Sequence, residues 1–170
     1  MIIIKPPHLD TRGEQLYLGI RTRTQFKGMF KFVDKLFPEL NKWAKREGVV
    51  ASGAPFLRYH VIDMAGEMDI EVGLPVAALP AGGLPADGRV QPGVLPAGEY
   101  ASLVYTGSGY SGNGALINWA RDNGIAWDRW DDPRGDGFRA RYETYLTDPK
   151  VEPRKTKWEV EVAIKIKTAT

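Results

Sequence analysis

Two stretches of this chain set carboxylates at alternate positions of an otherwise apolar run. One is Trp158-Glu159-Val160-Glu161-Val162-Ala163-Ile164-Lys165-Ile166. A period of two is that of a strand with one buried face. Trp158, Val160, Val162, Ile164 and Ile166 share one face, and Glu159, Glu161, Ala163 and Lys165 share the other. The second stretch, Asp69-Ile70-Glu71-Val72-Gly73-Leu74-Pro75-Val76, repeats the arrangement, with Asp69 in the place of Glu159 and Glu71 in that of Glu161. Two related strands with acids on corresponding faces predict a cleft between two halves. A carboxylate partly withdrawn from water among aromatic rings attracts a cation strongly, and ring faces add cation–π contact and apolar area. Glu161 is the first candidate for the functional acid, because it lies mid-strand, away from the end that frays. Tyr105, Tyr110, Trp127, Trp130 and Tyr145 are candidate walls.

Strand parity extends this set. If Phe138, Tyr142 and Leu146 face the helices, then Arg141, Glu143 and Tyr145 face away, and Glu143, Tyr145, Glu159 and Glu161 line one surface. Arg58, His60, Ile62, Asp69 and Glu71 do the same in the first half. The arginines Arg58 and Arg141 are read as ion-pair partners for nearby acids. Trp43 and Trp119 stand in the last turn of amphipathic helices and are expected to pack on a sheet.

Other chemistries find little support. The chain has no cysteine, hence no disulfide, thiol nucleophile or thiolate metal site. His8 and His60 stand far apart with no metal motif around either, so no metal and no cofactor are expected. Gly107-Ser108-Gly109-Tyr110-Ser111-Gly112-Asn113-Gly114 lacks both the Lys-Ser/Thr ending of a phosphate loop and the dinucleotide spacing. Asp131-Asp132-Pro133-Arg134-Gly135-Asp136-Gly137 lacks calcium-loop spacing and reads as a surface turn. Ser108 and Ser111 have no His–acid partnership. The net charge of +2, from 23 basic and 21 acidic residues, gives no electrostatic case for direct nucleic-acid binding. No apolar run has the length of a membrane span or a signal peptide, so a cytoplasmic location is expected.

The elements that must position these residues form a repeat. In 170 residues, one domain or two small halves sharing a core can form. Ile2 to Lys5 is a short edge strand or a tail. A strand over Gln15–Arg23 precedes a helix that Thr24 caps and that Gly48 ends, with Pro38 a kink or a second start. Strands over Ala54–Ile62 and Met68–Val76 follow. The Pro-, Gly- and Ala-rich stretch from Ala77 to Gly98 reads as a connection. The second half restates the first: a strand over Glu99–Thr106, a helix from about Ala115 to Asn123, and strands over Phe138–Leu146 and at the end. The frames Leu40-Asn41-Lys42-Trp43-Ala44-Lys45-Arg46-Glu47-Gly48 and Ile117-Asn118-Trp119-Ala120-Arg121-Asp122-Asn123-Gly124 correspond, and Arg58-Tyr59 corresponds to Arg141-Tyr142. An internal repeat outranks other fold signals. It predicts an α+β fold of duplicated strand–helix–strand–strand units related by a pseudo-twofold, with antiparallel sheets, helices on one face and a central ligand cleft. The whole chain, 1–170, is one domain, with half-repeats at about 14–78 and 97–167 and a connection at 79–96.

The pattern resembles the GyrI-like, or effector-binding, domain. The matching residues are Gly19-Ile20-Arg21-Thr22-Arg23, Glu71-Val72-Gly73-Leu74-Pro75-Val76, Leu95-Pro96-Ala97-Gly98-Glu99-Tyr100-Ala101, Glu143-Thr144-Tyr145-Leu146-Thr147-Asp148-Pro149 and Trp158-Glu159-Val160-Glu161, spread over nearly the whole chain. The chain departs from the family in ending on Ile164-Lys165-Ile166 instead of a Pro-containing strand, and in its glycine-rich helix entry. The resemblance implies a duplicated fold whose cleft binds hydrophobic, often cationic or planar, small molecules. It also implies that Glu161 matches the acidic position of the family's last strand.

The expected function is therefore capture of such a molecule by Glu161, Tyr145, Glu143, Glu71, His60, Trp130, Tyr105 and Tyr110, in a sensing or sequestering role with a transcription regulator as a partner. A second expectation is a hydrolase that opens a strained cyclopropane, as some members of the family do, with Glu161 as general base and Tyr145 donating to the oxyanion. A third is an inhibitor that binds DNA gyrase.

Overall fold

The computed structural model describes residues 1–85 and 88–168; Ala86 and Asp87 of the expected connection, and the last two residues, lie outside the described residues. The strands are β1 (Ile2–Arg12), β2 (Gln15–Gln25), β3 (Phe56–Ile62), β4 (Glu67–Pro75), β5 (Val90–Leu95), β6 (Gly98–Thr106), β7 (Arg129–Asp132), β8 (Gly135–Phe138), β9 (Arg141–Tyr145) and β10 (Val160–Lys165). The helices are α1 (Met29–Arg46) and α2 (Gly109–Asp122).

The strands form one antiparallel sheet in the order β1-β6-β10-β9-β3-β4-β2-β5, and the β7–β8 hairpin joins it through β3. Outward from the central β9–β3 pair the order is the same in both directions. Each side places the last strand of its half next, then the strand that precedes its helix. β1 and β5 are added at the two edges. The two halves thus share one continuous sheet.

Both helices cover the same face. Met29, Val33, Leu36, Leu40 and Ala44 form the buried stripe of α1, at the three- and four-residue spacing of one helix face. They pack on Leu18, Ile20, Leu57, Tyr59, Ile70 and Val72. Leu116 of α2 packs on Ala101, Leu103, Val160, Val162 and Ile164. Trp43 and Trp119 lean on these two clusters, as their helical positions predict. On the opposite face, Tyr17, Phe56, Leu95, Tyr100, Ala140, Tyr142 and Ala163 form a third apolar cluster.

The corresponding frames end both helices alike. The Val49 N–H bonds to the Ala44 carbonyl at 2.8 Å, and the Ile125 N–H to that of Ala120 at 2.8 Å. Between them Gly48 and Gly124 take left-handed φ values of 69° and 67°, which a residue without a Cβ adopts at little cost.

Several boundaries differ from the expectations. Thr24 does not cap α1, because β2 runs on to Gln25 and the helix starts after Gly28, whose φ is 81°. Pro38 lies inside α1 and interrupts no element. The N-terminal strand is eleven residues long; it accepts Pro6 and Pro7 because it is an edge strand whose register shifts between Lys5 and His8. The Ala77–Gly98 stretch is not all connection, since Val90–Leu95 pairs with β2. Finally, α2 begins at Gly109, within the glycine-rich stretch, with Ser108 accepting from the Ser111 N–H. Among the described residues, no helix is long and apolar enough to cross a membrane.

Candidate functional site

Register decides which of the candidate side chains meet. On β9 and β10, Glu143 is opposite Val162 and Tyr145 is opposite Val160, whereas Glu161 is opposite Thr144 and Ala163 is opposite Tyr142. Val160 and Val162 are core residues under α2. Glu143 and Tyr145 therefore face the helices, and Glu161 faces away from them. The expected common surface of Glu143, Tyr145, Glu159 and Glu161 does not form. Tyr142 belongs to the far-side cluster, which reverses the parity assumed for β9. A register shift in β3 after Tyr59 likewise parts Ile62, which packs under the helices, from His60, which does not.

Under the helices, Glu143 sits between the two halves. It is 6 % exposed. Asn113 Nδ2 of α2 donates to Oε1 at 3.0 Å, Tyr59 Oη donates to Oε1 at 3.3 Å, and Tyr145 Oη donates to Oε2 at 3.1 Å. All three donors are neutral, and no ion pair reaches Glu143 among the described residues. Burial pushes its carboxyl above the ordinary carboxylate range, against the pull of these hydrogen bonds and of Arg141. Burial and the Glu143 charge push the phenols of Tyr59, Tyr145 and Tyr105 upward, so all three stay protonated.

Aromatic rings close the site. The Tyr145 ring meets Phe37 of α1 edge-on at 5.7 Å and Trp158 at 6.1 Å. Tyr105 lies beneath α2, where a Cβ on Gly112 would come within 2.6 Å of its ring. The glycine-rich entry thus lets the first turn of α2 settle onto a tyrosine and bring Asn113 to the carboxylate.

On the other face two of the acids, Glu161 and Asp69, already have cations. Arg12 Nη1 donates to Glu161 Oε1 at 2.9 Å and to Tyr142 Oη at 2.8 Å. Its guanidinium carbon stands 5.4 Å from the Tyr100 ring centre and 5.9 Å from that of Tyr142. Asp69 is held by Arg21 through two bonds of 2.9 Å and by Arg134 at 3.2 Å. Glu71 Oε1 accepts from Tyr17 Oη at 2.6 Å and lies 2.8 Å from His60 Nε2. Burial lowers the affinity of His60 for a proton, although Glu71 opposes this. Arg58 bonds to Tyr17 Oη and to the Val94 and Arg139 carbonyls, not to an acid. A cleft of about 290 Å³ opens on this side, with Arg12, Phe56, Tyr100 and Tyr142 among its walls.

Of the expected ligand residues, Glu143, Tyr145 and Tyr105 come together, and Glu161, Glu71 and His60 lie across the sheet. Trp130 is on the β7–β8 hairpin, 41 % exposed, with Arg139 over its ring. Tyr110 is 86 % exposed. Tyr59, Asn113, Phe37 and Trp158 complete the site and were not expected there. The correspondence of Tyr59 with Tyr142 does not flag it, because Tyr142 lies on the far face; Asn113 and Phe37 carry no signal, since their roles depend on how the helices settle.

The GyrI-like small molecule binding domain family matches residues 5–167. No curated protein matches the chain. Among solved structures, the C-terminal domain of EcmrR superposes with a TM-score of 0.74 at 16 % identity, covering 98 % of this chain and 100 % of that one. SAV2435 bound to tetraphenylphosphonium gives 0.59 at 11 % identity, covering 95 % and 93 %. A hydrolase from Listeria innocua gives 0.57 at 14 % identity, covering 96 % and 92 %. The chain belongs to the GyrI-like small-molecule-binding domain family.

Proposed function

We propose that this domain binds a hydrophobic cation against Glu143, in the space that opens between α1 and α2 when the contacts of Tyr145 with Phe37 and Trp158 part. One observation carries the reading. Glu143 is a buried carboxylate whose hydrogen bonds all come from neutral donors and which lies under the helices beside the rings of Tyr145, Phe37 and Trp158, whereas Glu161 and Asp69 are each held by an arginine and Glu71 lies across the sheet against Tyr17 and His60. A cation that replaces some of the lost solvation of Glu143 gains strongly, and the surrounding rings supply apolar area and cation–π contact. The structural likeness to SAV2435 bound to tetraphenylphosphonium supports the same choice of ligand.

The ligand would be sensed or sequestered. The likeness to the EcmrR C-terminal domain suggests a transcription regulator as the partner class, and the cytoplasm as the place. Titration calorimetry with tetraphenylphosphonium, on wild type and Glu143→Gln, tests the reading. Micromolar binding that weakens at least tenfold in the variant is expected. Equal binding by both proteins refutes it.

A second reading follows from the 3.1 Å bond between Tyr145 and Glu143. A carboxyl with a raised pKa beside a phenol could protonate a strained ring as a water molecule attacks and opens it, and the likeness to a Listeria innocua hydrolase favours it. Glu143, not Glu161, would then be the acid beside Tyr145. Chromatography of a strained-ring alkylator after incubation separates the readings, because only the hydrolase consumes it.

A further inference from the structure

The acid of this site is accompanied by a partly buried cation. Arg141 precedes Glu143 by two residues on β9 and so projects to the same face. Its Nη2 donates to Asn113 Oδ1 at 3.0 Å, and Asn113 Nδ2 donates to Glu143 Oε1 at 3.0 Å. One amide thus separates the guanidinium from the carboxylate, with each end committed to one of the charges. The guanidinium also stands over the Phe138 ring, 4.8 Å from its centre. It forms no ion pair among the described residues, and its Nε is buried with no hydrogen-bond partner among them. Burial lowers its pKa, yet a guanidinium remains protonated in a protein.

Two consequences follow. A buried N–H without an acceptor is costly, and a ligand that supplies the acceptor recovers that cost. When Glu143 is ionised, the charges at the site also balance before any ligand arrives, at −1 against +1 on Arg141. A simple monocation leaves a desolvated positive charge uncompensated. A ligand that carries its own anion does not.

We propose that the preferred ligand is amphoteric: a hydrophobic cation that also bears an anionic group, the cation against Glu143 and the anion against Arg141. This rests on the reading that Glu143 is the ligand acid, and it narrows that reading to a charge-paired class. Arg141 is then a specificity-determining residue. Arg58 offers no equivalent. Its Nε is also unpartnered among the described residues, but it lies across the sheet, where its other nitrogens are taken by Tyr17 and two carbonyls.

The test is a matched pair of probes, (4-carboxybenzyl)triphenylphosphonium and its primary amide, which have nearly the same shape and differ in the carboxylate charge. Both are titrated calorimetrically at pH 7.5 into wild type, Arg141→Met, Arg141→Lys and Glu143→Gln. Wild type should bind the carboxylate at least tenfold more tightly than the amide. Arg141→Met should abolish or reverse that preference by weakening the carboxylate and strengthening the amide. Arg141→Lys should keep part of it. If Arg141→Met does not fold, the wild-type preference and Arg141→Lys decide.

Wild type binding both probes equally, or favouring the amide, overturns the amphoteric class. If Glu143→Gln still weakens the amide in that case, the cation-binding reading itself stands. If wild type binds neither probe and no tetraphenylphosphonium, both fall. A uniform loss with both probes in Arg141→Met assigns Arg141 a scaffold role and overturns the proposal.

Discussion

Replacing Glu143 by Gln removes one charge and keeps nearly the same shape. The amide oxygen can still accept from Asn113 and Tyr59, and the amide nitrogen can donate to Tyr145 Oη, which turns to accept. A ligand cation about 4 Å from the wild-type carboxylate, at an effective dielectric near 20, gains about 4 kcal/mol. The variant keeps part of this, because its amide oxygen still turns a partial negative charge toward the cation. The net loss at pH above the raised Glu143 pKa is about 2–3 kcal/mol, or roughly 30- to 150-fold in Kd. The pH profile gives a second check. A cation favours the ionised carboxylate, so binding expels the proton that Glu143 holds at low pH. Wild-type affinity should therefore climb as pH rises through the raised Glu143 pKa and level off above it, and the variant should stay flat. Calorimetry with tetraphenylphosphonium from pH 5 to 8 measures both. A Kd ratio under threefold at pH 8, or the same pH slope in both proteins, refutes the assignment of Glu143 as the ligand acid.

Stability should carry the same signature with no ligand present. Because the folded pKa of Glu143 is raised, its contribution is complete below the unfolded carboxyl pKa and is lost as pH rises through the folded value. Glu143→Gln should therefore gain thermal stability over wild type at pH 8 but not at pH 4, as read by scanning calorimetry. Gly112→Ala should cost about 1–3 kcal/mol in urea denaturation, because its Cβ meets the Tyr105 ring at 2.6 Å; an unchanged midpoint would show that α2 can lift away freely. Glu161→Gln should leave phosphonium affinity within twofold, since it acts across the sheet. It should lower stability by about 1 kcal/mol through the weakened Arg12 contact, whose two side chains remain about one-fifth exposed. Substantially weaker binding in Glu161→Gln would return the functional acid to β10.

The two halves were legible in the chain because a repeat needs only local agreement. The Trp-Ala…Gly frames predict two helices with the same ending, and Ala44 to Val49 and Ala120 to Ile125 form that ending with the same hydrogen bond. Alternation likewise marks Val160, Val162, Ile164 and Ile166 as one buried face. The strand over Val90–Leu95 carries no such mark. It contains Pro92 and Gly93 and exists because β2 offers an edge to pair with, the Tyr17 ring filling the space a Gly93 side chain would need. The site divides in the same way. Acids beside tyrosines in alternating strands are visible by inspection, and Glu143, Tyr145 and Tyr105 were all among the candidates. A period of two says which residues share a face, but not which face the helices cover. On β9, Tyr142 and Glu143 are both buried, so hydrophobicity does not break the tie. The pairing of Val162 with Glu143 does break it, and that pairing exists only once strands far apart in the chain lie side by side. Composition and spacing thus determined that this is a duplicated domain with acids and rings near its centre. Only the tertiary structure decided that Arg12 occupies Glu161, while Glu143 meets neutral donors alone.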